Sequence, residues 1–268
     1  MNASKTVFRF ASLERLMARR SRLGDVVQQF DKQSEVMPRL KWFADAERAR
    51  ELLAFARLTR GERILEVGCG PGFVLAEATA AALAVGVDVS PKMLRAAASR
   101  AAHARVVRAA VERLPFSDHR FDLVYCRSVL HHALEPEAMV REMARVTRVG
   151  GRVVINDSIS SENRQEAGNH NRMERLRDPS HGRMVPASEL IDLFHRARLR
   201  VAEVRAHRYA RDAEEFLDVT SPEPSVRAEL LRLFRGWTDH DESGLFVRYE
   251  RGRIRFDHTQ WTVLGVKD

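Results

Sequence analysis

The stretch that most constrains this chain is residues 64–72, Ile-Leu-Glu-Val-Gly-Cys-Gly-Pro-Gly. An apolar run of this length reads as a buried strand, and the glycines at 68, 70 and 72 end it in a turn that opens a helix at about Phe73. Glycine lets the backbone reverse tightly and lets a ligand approach where a Cβ would repel it. A second apolar run, Ala84–Val89, carries Asp88, 20 residues beyond Gly68. An acid at the end of the second strand of such a unit can accept both hydroxyl protons of a ribose. The turn alone also admits a purely structural reading. A dinucleotide site would want Gly-x-Gly-x-x-Gly, whereas the spacing here is Gly-x-Gly-x-Gly with Phe73 next.

The alternation of strand and helix continues. Ser90 and Pro91 suit the N-cap and first position of a helix. Arg105–Ala109, Phe121–Cys126 and Arg152–Ile155 read as further strands, with a helix over Glu135–Val146 and a turn at Gly150-Gly151. This spacing predicts a parallel sheet covered on both faces. Upstream, residues 1–58 read as helical, with Phe10, Leu13, Leu16 and Met17 on one face and a second periodic stretch from Ala44 to Leu58. Downstream the rhythm breaks at about Ser158. A polar helix runs to Arg177 and meets Asp178-Pro179; a helix over Ala187–Arg196 and a strand near Arg200–Ala206 come next. Helices near Ala213–Asp218 and Ser225–Arg235 precede a hairpin-like pair, Leu245–Tyr249 and Ile254–Val266, turning at Gly252. The expected organisation is a helical lid (1–58), a core (59–157), a helical cap over the acceptor site (158–198) and the C-terminal part of the same sheet with inserted helices (199–268).

The Gly-x-Gly-x-Gly turn, with Glu66 two residues ahead of it, resembles motif I of class I S-adenosylmethionine (SAM)-dependent methyltransferases. Val87-Asp88-Val89-Ser90-Pro91-Lys92-Met93-Leu94 is similar to the family's second-strand motif, and Glu112–Asp118 to the segment after its third strand. Phe121-Asp122-Leu123-Val124 resembles the family's fourth strand, and Val129-Leu130-His131-His132 the loop beyond that strand. Arg148-Val149-Gly150-Gly151 resembles the turn into the fifth. Leu176–His181 is also similar to a segment of the ubiquinone/menaquinone-biosynthesis-like (methyltransferase domain 11-type) group, the nearest subgroup. The resemblance is firm over residues 60–157 and looser elsewhere. It implies a Rossmann-like α/β fold: a mostly parallel, seven-stranded sheet with helices on both faces and an antiparallel last strand. It also implies SAM as cofactor and S-adenosylhomocysteine as product.

Carried over by position, Gly68, Gly70 and Gly72 would lie along the methionine and ribose of SAM with Glu66 nearby, and Asp88 would bind the ribose hydroxyls. Val89 and Met93 would pack on the adenine; Cys69, Val111, Glu112 and Arg127 complete the expected cofactor set. Where the family usually places an aspartate toward the adenine amino group, this chain has Ala110, leaving that edge to the Val111 backbone, to Glu112 or to packing. Phe30-Asp31-Lys32-Gln33 is similar to the family's N-terminal lid, though Met37 stands where a tyrosine is common; ordinary helix packing explains that segment equally well.

Methyl transfer needs a base only if the acceptor must lose a proton. His131 and His132 follow the fourth strand, at the sheet edge where ligands sit, and in relatives acting on hydroxyl groups this pair can line the acceptor site. Each can equally cap or pack against the next helix. Asp157, just past the fifth strand, suits a histidine partner, an acceptor ligand or a helix cap, and His181 is a further candidate or a turn residue. No metal-ligand set is expected. Cys126-Arg127-Ser128-Val129 replaces the acidic or Asn-Pro-Pro-aromatic tetrad of amino-methylating DNA enzymes, and Cys126 lacks the neighbouring proline of a pyrimidine-methylating nucleophile. It reads as a buried, inert thiol.

Charge agrees. The net charge is +8, and all but five of the 45 basic residues are arginines, interleaved with 37 acids along the chain, a pattern of solvated helix faces rather than a polyanion tract. The expected acceptor is therefore a small molecule, O- or C-methylated and quinone-like or a specialised metabolite, with no nucleic-acid partner and a monomer or homodimer. No apolar run approaches a membrane span, the first 24 residues lack the apolar stretch of a secretory signal, and two cysteines exclude a disulfide framework; a cytoplasmic location is expected. A SAM-binding cyclase or pericyclase of specialised metabolism, or a non-catalytic SAM-binding protein, remains open on the same fold.

Overall fold

The computed structural model describes residues 22–37 and 45–268; the expected helix face of Phe10 to Met17 lies outside them. Helix α1 spans 22–36 and α2 Ala46–Phe55. The core then alternates: β1 Arg63–Val67, α3 Phe73–Glu77, β2 Leu83–Asp88, α4 Pro91–Arg100, β3 Arg105–Arg108, β4 Phe121–Arg127, a 3-10 turn Leu130–His132, α5 Pro136–Val146 and β5 Thr147–Ser158. Beyond it come α6 Arg164–Arg177, α7 Ala187–Arg196, β6 Leu199–Asp212, α8 Ala213–Asp218, α9 Pro224–Asp239, β7 Arg248–Glu250 and β8 Arg253–Lys267. The sheet order is β3-β2-β1-β4-β5-β8-β6, with β7 paired to β8. Pairs from β3 to β5 are parallel, while β8 runs antiparallel to both neighbours. The expected mixed sheet is thus observed, with eight strands rather than seven because the short β7 pairs beside β8.

Strand period sets the two faces. In β1, Leu65 and Val67 enter one core, shared with α5 and α7, while Ile64 enters the other, under α2 and α3. Ser90 caps α4 by accepting from the Met93 N–H at 3.1 Å, and Pro91 opens that helix. Strand β5 begins at Thr147, ahead of the Gly150-Gly151 turn expected to precede it. A register shift opposite Phe121–Leu123 absorbs the glycines, Gly150 at φ +70°, so the turn is a bulge within the strand. Strand β6 extends well past the expected Ala206, because its long pairing with β8 continues to Asp212.

The segment expected as a cap, 158–198, divides its packing. Leu190, Leu193 and Phe194 of α7 join the main core. Met173 and Leu176 of α6 instead join a third cluster with Phe216, Phe234 and Phe256. No helix among the described residues is long and apolar enough to cross a membrane.

Candidate active site

The carboxyl ends of β1, β2 and β4 open into a cleft, where ligands sit in open α/β sheets. Of the expected cofactor residues, Glu66, Gly68, Cys69, Gly70, Asp88, Val89, Met93, Val111, Glu112 and Arg127 line it, as does Ala110. Gly72 does not. At φ +81° it begins α3, and a Cβ there would sit 2.9 Å from the Ala97 backbone, so its task is to let α3 approach α4. A Cβ on Gly68 would strike the Val129 side chain at 2.5 Å, whereas at Gly70 (φ +50°) it would meet only open space. The turn is therefore a cradle that side chains would fill.

Asp88 fits a ribose. One oxygen accepts from the Gly70 N–H and the other from the Ser90 N–H, each at 2.9 Å. These bonds aim the carboxylate and leave lone pairs for two hydroxyl donors. Burial raises its pKa against these same backbone bonds, so a donor pair has a strong acceptor to meet. Glu66 is 3% exposed and takes the Tyr125 hydroxyl at 3.3 Å. Burial pushes its carboxyl up to about 8, against the pull of the Arg127 charge. Glu112 accepts from the Leu134 N–H at 2.8 Å, so one of its oxygens is already committed to the loop after β4. Burial pushes the thiols of Cys69 and Cys126 well up, which keeps both protonated and unreactive.

The opposite wall is built from titratable groups. Asp157 is 1% exposed. One of its oxygens accepts from the Val129 and Leu130 N–H groups at 3.0 and 2.7 Å; the other lies 2.5 Å from His131 Nδ1. It thus shapes the turn after β4 and orients a histidine together. Burial opposes a charge on His131, but the Asp157 carboxylate overrides it and raises the imidazole pKa. His132 lies beside it, the rings tilted by 43° with 4.1 Å between centroids, and is the one of the four candidate catalytic residues that lines the cleft. Burial, then the neighbouring His131 charge, pushes His132 down to about 4, so it is neutral at pH 7. Its Nδ1 lies 3.2 Å from the Ser180 carbonyl oxygen. A carbonyl only accepts, so Nδ1 carries the proton and Nε2 keeps its lone pair. His181 lies behind this wall, its Nε2–H donating to Asn171 Oδ1 at 2.9 Å, and burial pushes it down to about 2.

Helix α1 bridges the two halves. Phe30 meets the His132 ring edge-on at 4.8 Å. Ser90 Oγ donates to Asp31 at 2.5 Å, and Gln33 Nε2 donates to Asp178 at 3.0 Å. Asp178 in turn accepts from Ser180 Oγ, 3.1 Å from His132 Nδ1. Met37 lines the cleft. Asp178 and Ser180 were not among the expected site residues; the familiar Asp-Pro-Ser-His run was their only signal. A second cleft adjoins the first through Arg127 and Ser128 and is lined by Arg48, Arg205, Asn156 and Tyr209. Nothing in the spacing of those residues marked it.

The comparisons with known proteins agree with this geometry. A methyltransferase domain family model matches residues 65–155. The uncharacterised methyltransferase YcgJ of Bacillus subtilis (strain 168) is 31% identical over 182 residues, 66% of this chain and 72% of YcgJ. Its crystal structure matches 82% of this chain and 97% of its own with a TM-score of 0.76, at 24% identity. The 27-O-demethylrifamycin SV methyltransferase of Amycolatopsis mediterranei (strain S699) is 33% identical over 180 residues, 64% of this chain and 63% of that enzyme. The [4+2]-cyclase SpnF shares the fold at a TM-score of 0.60 and 16% identity, over 83% of this chain and 81% of its own. With a glycine cradle and a ribose acid that suit S-adenosylmethionine, and with relatives of this extent, the chain belongs to the class I SAM-dependent methyltransferases.

Proposed function

We propose that the protein methylates a hydroxyl group of a small specialised metabolite, with His132 taking the acceptor's proton. The observation that carries this reading is His132 itself: half-buried, neutral, on the cleft wall, with Nδ1 engaged by Ser180 and Nε2 left as acceptor. When bound, SAM supplies an electrophilic methyl group for in-line displacement, so the chain's task is chiefly positioning and exclusion of water. Asp88 holds the ribose, Gly68 and Gly70 admit the methionine chain, and Val89 and Met93 pack on the adenine. Asp157 and His131 do not touch the acceptor; burial, with the His131 charge adding to it, keeps His132 unprotonated. Helix α1 acts as the lid, tied on one side to Ser90 and on the other to Asp178. The likeness to the 27-O-demethylrifamycin SV methyltransferase supports a specialised-metabolite hydroxyl.

Isotopically labelled SAM incubated with fractionated metabolite extracts tests the reading. Label should enter a small molecule as a methyl ether. Tight SAM binding with no label transferred, or label found only on carbon, nitrogen or nucleic acid, would overturn it.

A further inference from the structure

Outside both clefts, three side-chain atoms converge without hydrogen-bond partners. His170 and Glu174 stand one turn apart on α6, on one helix face, and His258 faces them from β8. They are 1%, 0% and 3% exposed. His170 Nε2, Glu174 Oε1 and His258 Nε2 are all buried atoms with no hydrogen bond. The two imidazole nitrogens lie 3.7 and 3.6 Å from Glu174 Oε1, beyond a good hydrogen bond. Buried polar atoms are almost always satisfied, so three orphans facing one another call for an explanation.

Their spacing supplies one. All three atoms lie within 4.8 Å of one another. A point equidistant from three atoms so placed lies roughly 2.1–2.4 Å from each, close to the bond lengths of about 2.0–2.2 Å that zinc makes to histidine and carboxylate. The surroundings prepare the ligands. Arg177 holds the other carboxylate oxygen, Oε2, at 2.8 Å, orienting Oε1 as an outer partner does in metal sites.

We propose that His170, Glu174 and His258 bind a divalent transition-metal ion of the zinc type, which pins helix α6 to strand β8. Two nitrogens and one oxygen suit such an ion and not magnesium or calcium, which want oxygen cages. The Arg177 and Arg211 charges reinforce that selection, because a weakly bonded dication beside them gains too little to enter. The consequence is structural: the adjoining face of α6 presents Asn171, which grips His181 and the Met184 backbone, so the ion would brace the loop that carries Ser180 to His132. The proposal stands apart from the acceptor reading, since none of the three ligands lines either cleft.

The test uses untagged protein stripped with a chelator and titrated with Zn²⁺, and separately with Co²⁺. One ion per chain should bind below about 1 µM, raise the thermal midpoint by linkage, and with Co²⁺ give the intense visible bands of a four- or five-coordinate ion. His170→Ala and His258→Ala should each weaken binding at least a hundredfold and abolish the thermal shift. Should either variant fail to fold, His170→Gln and His258→Gln take its place, and the Co²⁺ spectrum of the native chain stands by itself. Absence of binding at about 10 µM zinc, binding unchanged in the histidine variants, or a pale octahedral Co²⁺ spectrum would each overturn the site.

Discussion

The two walls of the cleft are made by different means. On the cofactor wall, one short segment does most of the work: Gly68 and Gly70 open the turn, and the Gly70 backbone bonds Asp88. Its geometry is set by main-chain conformation, which needs no titratable neighbour. The acceptor wall gathers His132 after β4, Asp157 at the end of β5, Ser180 beyond α6 and Gln33 from α1, and its geometry is set by charge. A turn whose shape is set by backbone conformation keeps it as pH changes; an arrangement of coupled ionisable groups does not. The contrast teaches where the molecule is robust and where it is tunable.

Breaking the cofactor wall should cost most. Asp88→Ala removes two charge-assisted hydrogen bonds, each worth about 1.5–3 kcal/mol, so SAM affinity should fall by about two to four decades in calorimetry. Unchanged affinity would refute the ribose assignment. Asp157→Ala should lower stability by about 3–5 kcal/mol, because it strands the half-buried His131 charge and the N–H groups of Val129, Leu130 and His131. The loss has a pH signature. His131 has a raised folded pKa, so its contribution is full below its unfolded value of about 6.5 and disappears as pH climbs through the folded one. Asp157 has a lowered pKa, so its share is present above about 3.8 and lost on acidification. Denaturant unfolding should therefore show the largest deficit between those limits, and a deficit flat with pH would break the dyad argument.

A smaller effect separates the charge-built wall from a merely shaped one. His132→Gln should cut turnover at least about 100-fold and leave SAM binding nearly intact. Because His132 titrates near 4 beside a charged His131, the acid limb of the native pH–rate profile should lie well below neutrality. His131→Gln should move that limb upward toward an ordinary histidine value; a limb that stays put would show that His131 does not govern its neighbour. Hydrogen exchange should slow within residues 22–37 and 158–198 when SAM or its product is added, by a few-fold in the lid picture, and identical exchange in both segments would end it. The smallest expected effect is none: filter binding of duplex DNA or structured RNA at about 150 mM salt should show no tight, salt-steep complex.

The legibility of each wall in the sequence divides along the same line. Gly68, Gly70 and Asp88 sit within two adjacent strands, so their spacing carries their geometry, and the β-α alternation carries the sheet. Gly72 looked the same in sequence as Gly70 but serves helix packing, since only the folded chain reveals that Ala97 faces it. His132 was readable as a candidate from its place after β4. That it alone of the candidates reaches the cleft, while His131 and His181 stand behind it, depends on Asp157, Ser180 and Asn171 arriving from distant segments. The buried His170–Glu174–His258 cluster was invisible for that reason: the α6 pair is local, but its third member comes from a strand far downstream.

Strand β8 lies between β5 and β6, hydrogen-bonded to both, although it is the last of the three to be made. During synthesis, β5 is completed at Ser158 and β6 at Asp212, yet neither can find the partner they share until residues 253–267 leave the ribosome. Through that interval β5 is a bare edge whose inner residues, Val153, Val154 and Ile155, are fully buried in the finished fold. Exposed apolar edges invite pairing with other nascent chains. Shielding of β5 by a chaperone until β8 is free should therefore raise the yield of folded protein.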